Sequence, residues 1–324
     1  MPWKEEKNPY FIWLSEIILQ QTRVEQGWDY YLKFIKLFPT VEDLANAELD
    51  KVLKAWEGLG YYSRARNLHL AANQIVNDFN KIFPASKKEL LKLKGVGEYT
   101  ASAIASFAFN LPHAVVDGNV VRVLSRFFGI DTPFDKSFGK KLFSELAQNC
   151  LDIDHSALHN QAIMDFGATI CTPSTPLCNK CILSEKCFAN AKMLQSSLPI
   201  KSKKIKKKIR HFVFLDILYK DFTYLEERTE NDIWRNLYQL PLIETTEKNR
   251  TSFENEIQNL FETSEFEIED TIEDYKQTLS HQLINATFLK VKVNKSLNNK
   301  FIEVKRNNLH KFAFPRVINL YFKK

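Results

Sequence analysis

The densest chemistry in this sequence is a run of four cysteines spaced Cys171-x6-Cys178-x2-Cys181-x5-Cys187. Thiolates bind soft metals, and four of them complete either a tetrahedral zinc site or a cubane iron–sulfur cluster. The outer intervals are long for a zinc ribbon, whose cysteines come in two close pairs. Pro173, Pro176 and the polar residues around them make a loop that can wrap a larger object. The spacing favours an iron–sulfur cluster, with zinc as the alternative. The fifth cysteine, Cys150, stands alone and is expected to be a buried small hydrophobe.

Two carboxylates offer acid–base chemistry. Glu16 sits in the apolar run NPYFIWLSEIILQQTRV, with Ile12, Trp13, Leu19 and Gln20 one turn away on a helix. Desolvation there favours the protonated form, which suits a general acid near neutral pH. The plainer reading is a Glu on the wet edge of an amphipathic helix. Asp117, in AVVDGNV, reads first as a helix cap or a turn residue. A carboxylate at a helix start stays ionised easily and can stabilise a sugar cation. One protonated and one ionised carboxyl is the arrangement that glycosidic cleavage uses.

A third feature is the stretch SKKELLKLKGVGEYTASAIASFA, residues 86–108. Ser86 and Glu89 form a capping box for a short helix ending near Lys94. Gly95 and Gly97 frame a tight turn with access to positive φ, and a second helix starts at about Glu98. Its first turn presents unpaired N–H groups to an anion. Ala101, Ser102, Ala105 and Ala108 allow close packing. An ordinary helix hairpin with a glycine turn is the competing reading.

The elements that must position these groups follow from periodicity. Residues 8–195 read as almost entirely helical, with Asn8 capping a first helix that Pro9 opens, and Asp117 capping another. Residues 196–210, SSLPIKSKKIKKKIR, read as a basic linker: a solvated tether, or one that also tracks phosphates. Beyond it, His211–Lys220, Phe222–Glu227 and Thr287–Val293 are strand-like, and Phe312–Phe322 reads as a closing helix starting near Pro315. The expected organisation is a mainly α domain over 1–195 and a smaller α+β domain over 211–324. The 324 residues, 44% hydrophobic and 26% charged with a net charge of +6, suit two soluble domains and permit nucleic-acid binding without demanding it. No apolar run reaches bilayer length and no signal peptide opens the chain, so no membrane partner and a cytoplasmic location, nucleoid-associated in a bacterium, are expected.

On these residues the chain resembles the helix–hairpin–helix DNA glycosylases of the endonuclease III and MutY types. The cysteine spacing looks like their cluster loop, and LKGVG, residues 93–97, looks like the hairpin that grips a DNA phosphate. The resemblance implies a [4Fe–4S] cofactor on Cys171, Cys178, Cys181 and Cys187 that does not perform hydrolysis. Strand-cleaving members carry a lysine just after the glycine turn; here that position is Tyr99, and a phenol cannot form an imine. The segments SEIILQQTRV, VDGNVVRV and WEGLGYYSRARNL are similar to the MutY family of adenine glycosylases.

That resemblance implies base excision of a flipped-out adenine opposite 8-oxoguanine or guanine in duplex DNA. Glu16 would protonate the base and later activate water. Asp117 would stabilise the sugar cation, directly or through a transient covalent bond. Tyr99 and Asn119 would orient them, Tyr61 would wedge into the stack, and Gln21, Thr22, Gly95 and Gly97 would contact the strand. The family's second domain is Nudix-like and inspects the oxidised base. Here IWRNLYQLP, residues 233–241, and the Thr278-Leu279-Ser280-His281 stretch resemble it. Ser280 and His281 would read the oxidised guanine, with Leu279 in place of the usual Phe. The chain lacks the metal-binding run of Nudix hydrolases, so this domain should bind and not hydrolyse. A monomer is expected. Members carry one more helix before a Pro-Trp-Arg motif, whereas this chain begins Met1-Pro2-Trp3-Lys4; either the start is misplaced or a covering helix is missing, with lower stability expected. Two other readings remain: an endonuclease III-type glycosylase for oxidised pyrimidines, and a non-catalytic, cluster-bearing DNA-binding or redox-sensing protein.

Overall fold

The computed structural model describes residues 6–202, 207–246, 253–261, 265–297 and 300–323. The Pro-Trp start and residues 203–206 of the basic tract lie outside the described residues. The chain divides into two compact units: Met1–Asn46 with Asn67–Lys204, and Ala47–Arg66 with Ile205–Lys324.

The first unit is helical. Helix α1 (Pro9–Leu19) opens where the Asn8 side chain accepts from Tyr10 N at 2.9 Å, with Pro9 in the first turn. Helices α2 (Val24–Leu37) and α3 (Val41–Ala45) follow, the latter started by a Thr40/Asp43 capping box. Helix α4 (Leu49–Trp56) belongs to the second unit's segment, and α5 (Ser63–Asp78) crosses the boundary. Next come α6 (Lys87–Leu90), α7 (Glu98–Phe109), α8 (Gly118–Phe128), α9 (Ser137–Asn149), α10 (Ser156–Thr169) and α11 (Phe188–Ala191). At Ser86 one half of the expected capping box forms: its hydroxyl accepts from Glu89 N at 3.3 Å and donates to Glu89 Oε2 at 2.9 Å, and α6 ends at Leu90 rather than near Lys94.

Helix α1 is apolar almost all round and buries Ile12, Trp13, Leu14, Ile17 and Ile18 between neighbours that include α2 and α7. The α7 face is built of small residues, Ala101, Ser102, Ala105 and Ser106, all buried, so the two helices approach closely. Val120, Val121 and Leu124 of α8 pack with Phe143 and Ala147 of α9. Each such aliphatic or aromatic side chain contributes about 1.5–3 kcal/mol on burial. Cys150, expected to be buried, is exposed. It caps the C-terminal end of α9, one position past the described helix and beyond the last core residue, Ala147.

The second unit is α+β. Its elements after the helical segment are β1 (Lys208–Leu218), β2 (Phe222–Glu227), β3 (Tyr238–Gln239), β4 (Leu242–Thr245), α12 (Glu254–Phe261), β5 (Phe266–Thr278), β6 (Gln282–Val293), β7 (Ile302–Lys305) and α13 (Arg316–Phe322). One sheet has the order β4-β1-β6-β5, with β1 and β6 parallel in register Lys208↔Gln282 to Leu218↔Lys292; the other has the order β3-β2-β7. Val213, Leu215 and Ile217 of β1 form a core with Leu289, Val291 and Val293 of β6 and with Ile257 and Phe261 of α12. The α+β expectation and the strand Phe222–Glu227 agree with this architecture. Strand β1 starts before His211, so Lys208, Ile209 and Arg210 at the end of the basic tract are strand residues. Strand β5 gave no strand-like alternation because five of its side chains are acidic and most are exposed; its ladder with β6 holds it in place.

Candidate active site

A cleft of about 1780 Å³ opens in the first unit. That exceeds the 300–1,000 Å³ of ordinary small-molecule pockets, which leaves room for a base together with the backbone that carries it. Glu16, Gln21, Thr22, Gly95, Gly97, Tyr99, Asp117 and Asn119 all line it. Eight residues separated by up to a hundred positions in the chain thus share one cavity.

Glu16 projects from α1 and is half-buried. Its pKa is raised from the usual carboxyl range to about 7: burial is the largest cause, a hydrogen bond from Tyr99 opposes it, and the Asp117 charge adds to it. Tyr99 stands in the first turn of α7, and burial together with the neighbouring Glu16 pushes its phenol well above the usual value. At neutral pH Tyr99 therefore keeps its proton to donate, and Glu16 is poised between acid and base.

Asp117 is the N-cap of α8, as the cap reading has it. One carboxylate oxygen accepts from Asn119 N and Val120 N, both at 2.8 Å, and the other accepts from Asn119 Nδ2 at 2.7 Å. These N–H groups replace water around the carboxylate and fix its direction. The cap and the candidate chemistry are the same geometry. Behind it stands Arg122, a residue that sequence reasoning missed. Its Nη2 donates to Asn119 Oδ1 at 2.8 Å and to Gly167 O at 2.6 Å, and its Nε donates to Cys171 O at 2.7 Å. Helix α10 comes so close here that a Cβ on Gly167 would lie 2.7 Å from Asn119 Cβ. Nothing local marked Arg122 in the sequence, because Gly167 and Cys171 lie 45 and 49 positions further along the chain.

The glycine hairpin differs from its reading in one respect. Gly95 has φ +77°, but Gly97 has φ −94° and serves as the extended N-cap of α7. Only Gly95 needs the left-handed region. Its backbone also lies over Asn67 of α5, 2.6 Å from a would-be Cβ to Asn67 Cβ. Gln21 takes a left-handed conformation at φ +59° just past α1.

Tyr61, Ser280 and His281 are not in this cleft; all three belong to the second unit. Tyr61 sits at φ +48°, 48% exposed, with the Arg64 guanidinium 5.6 Å from its ring. Its hydroxyl lies 2.8 Å from Ser280 Oγ. Ser280 and His281 occupy an exposed turn between β5 and β6 that Leu279 N closes by donating to Gln282 O.

The four cysteines of the loop are free thiols, each half-buried. Burial, and then charge on Cys171, Cys187 and Cys178, raises the Cys181 pKa, so the other three lie within electrostatic reach of Cys181. Among the described residues, no three Cys, His, Asp or Glu side chains gather tightly enough for a single metal ion. Four thiols on one loop are the donor set that a soft metal ion or an iron–sulfur cluster takes. Arg126, buried on α8, donates to Cys171 Sγ at 3.4 Å, Thr172 O at 2.7 Å, Pro173 O at 2.8 Å and Leu198 O at 3.1 Å. Gln195 Nε2 approaches Cys178 Sγ at 3.9 Å. A cationic donor onto a thiolate is the outer support that such clusters use.

Residues 14–148 match the family model of the HhH-GPD superfamily base excision DNA repair proteins. An adenine DNA glycosylase of Buchnera aphidicola subsp. Baizongia pistaciae is 37% identical over 323 residues, covering 97% of this chain and 89% of that protein. The chain belongs to the adenine DNA glycosylase family. An adenine DNA glycosylase of Rattus norvegicus is 43% identical over 207 residues, 61% of this chain and 40% of the rat protein. Among solved structures, a thermostable thymine-DNA glycosylase is similar at 33% identity with a TM-score of 0.55, over 59% of this chain and 88% of that one. An endonuclease III–DNA complex, at 22% identity and TM-score 0.52 over 59% of this chain and 87% of that one, shares the helical fold. The segment matched to the superfamily contains Glu16, Tyr99, Asp117 and Asn119; the cysteine loop follows it. No helix among the described residues is long and apolar enough to cross a membrane.

Proposed function

We propose that this chain hydrolyses the N-glycosidic bond of adenine opposite 8-oxoguanine or guanine in duplex DNA, acting as a monomer in base excision repair. The observation that carries the reading is the half-buried Glu16, with its pKa near 7, in one cleft with the N-cap carboxylate Asp117. Glu16 delivers its proton to a ring nitrogen of the flipped adenine. The C1′–N9 electron pair leaves with the base, and the cationic sugar left behind is stabilised by the Asp117 carboxylate. Water adds to C1′ and returns its proton to Glu16, so the enzyme regains its starting state. Tyr99 aims Glu16 through its hydroxyl, and Asn119, backed by Arg122, aims Asp117. With a phenol at Tyr99, nothing there attacks the sugar as an amine, which favours hydrolysis without strand cleavage.

Cys171, Cys178, Cys181 and Cys187 hold a [4Fe–4S] cluster in this reading, with Arg126 as the donor to Cys171. The cluster, when bound, supplies four iron–thiolate bonds that tie the loop into one body. Residues 1–195 carry the cleavage chemistry, 196–210 connect, and 211–324 form a Nudix-like domain in which Ser280 and His281 inspect the partner base. Tyr61 enters the base stack, and Gln21, Thr22, Gly95 and Gly97 hold the adenine strand.

One experiment tests the activity. Duplexes containing adenine opposite 8-oxoguanine, adenine opposite guanine, or thymine glycol are incubated with the protein and then treated with alkali. Breaks only in the adenine strand, abolished by Glu16→Gln with binding retained, support the proposal. Borohydride trapping on the thymine glycol duplex would support an endonuclease III-type enzyme, and tight binding without cleavage a non-catalytic one.

A further inference from the structure

Strand β1 begins with an arginine that reaches three separate parts of the second unit at once. Arg210 forks onto Glu244 of β4, Nε to Oε1 at 2.7 Å and Nη2 to Oε2 at 2.6 Å. Its Nη1 donates to Asp232 Oδ2 at 2.8 Å and to Gln282 Oε1 at 3.2 Å. The guanidinium stacks 4.8 Å from the Phe212 ring and its side chain is 10% exposed. Asp232 is in turn held by Arg228 Nη2 at 2.9 Å. Gln282 is the residue that closes the Leu279-Ser280-His281 turn, through Leu279 N to Gln282 O at 2.8 Å, and the neighbouring Lys208 N donates to His281 O at 3.0 Å. The turn is therefore gripped at both His281 and Gln282 by the first residues of β1, and the Arg210 side chain adds to the β1–β4 ladder a direct link from Gln282 to Glu244 of β4 and to Asp232 of the 228–237 loop.

We propose that Arg210 is a positioning residue for partner-base recognition, holding the Ser280–His281 turn in its reading geometry through Gln282. This rests on the reading that Ser280 and His281 inspect the oxidised guanine. A planar fork with five N–H donors is needed to serve two carboxylates and an amide together, and a lysine, with one point charge, cannot hold all three. Hydrogen bonds from Ser280 and His281 to the partner base are short-range, so a turn that drifts by an ångström loses them, while the cleavage cleft is lined by none of these residues.

The test compares single-turnover cleavage of adenine opposite 8-oxoguanine with cleavage opposite guanine, for the full chain. Ser280→Ala, Arg210→Lys, Gln282→Ala and Gln282→Glu are each measured, with thermal melts alongside. The expected result is a loss of about fivefold to tenfold in the 8-oxoguanine preference for S280A, R210K and Q282A. The rate opposite guanine stays unchanged for R210K and Q282A, and Q282E, which keeps an acceptor for Arg210, retains the preference. A merely structural role for Arg210 would lower both rates together and leave the ratio intact. If S280A loses the preference while R210K and Q282A keep it, the positioning role is wrong and the recognition reading stands. If S280A changes nothing, both fall. Should R210K fail to fold, Q282A against Q282E decides.

Discussion

The pKa of Glu16 makes the cleavage rate and the stability of the chain move in defined directions with pH. Its carboxyl titrates near 7 in the cleft against 4.5 when unperturbed. A raised carboxyl pKa means that the folded state prefers the protonated form. The associated stability is present in full below the unfolded pKa and is lost as pH rises through the folded one. At about 1.4 kcal/mol per pH unit the upper figure is about 3.5 kcal/mol; the open cleft lets water screen Glu16, so about 2 kcal/mol is the working value. Glu16→Gln keeps an acceptor for Tyr99 and removes the titration. It should match the wild type near pH 4 and be more stable by about 2 kcal/mol at pH 8.5, read from urea melts. In the proposed mechanism the same group sets the rate: a general acid present as the protonated form loses about tenfold in rate per pH unit above its pKa. The single-turnover rate should fall above about pH 7. The Tyr99 hydrogen bond favours the ionised carboxylate, so Tyr99→Phe should shift that limb to higher pH while lowering the maximum. A flat profile from pH 6 to 9, or a downward shift in Y99F, refutes the assignment of Glu16 as the acid.

Three further outcomes follow from the geometry. Gly95→Ala forces a side chain to φ +77° and against Asn67, so unfolding free energy should drop by about 1–3 kcal/mol and the slope of DNA affinity against salt should flatten. Arg122→Lys removes the fork that joins Asn119, Gly167 and Cys171; cleavage should slow by about a hundredfold with duplex affinity retained, as gel-shift titration would report. Arg126→Leu leaves the carbonyls of Thr172, Pro173 and Leu198 unpaired inside the first unit, so iron per chain should fall and the melting temperature with it; full iron content in R126L would contradict the support assigned to Arg126.

How much of this was legible depended on whether the signal was local. The Asn8 cap, the Ser86 capping interaction and strand Phe222–Glu227 are written in adjacent residues, and they form where expected. Glu16 was legible in kind, because its neighbours one turn away are apolar, but the sequence could not say that Tyr99 would arrive from α7 to meet it. Asp117 looked like a choice between cap and chemistry; the structure makes it one object, since the N–H groups that cap the helix also aim the carboxylate. Arg122 and Arg210 stayed hidden for a common reason. Each is a buried cation whose partners come from distant strands, helices and loops, so no spacing announces it. Cys150 was misread because a lone cysteine says nothing about which side of a helix end it faces. The pattern is physical: side chains that touch the substrate sit at recognisable turns and caps, whereas those that hold them steady are known only by the contacts that folding brings together. In the proposed reading the specificity for the partner base rests on the second kind as well, which makes Arg210, and not a residue of the Ser280 turn itself, the sharper place to perturb it.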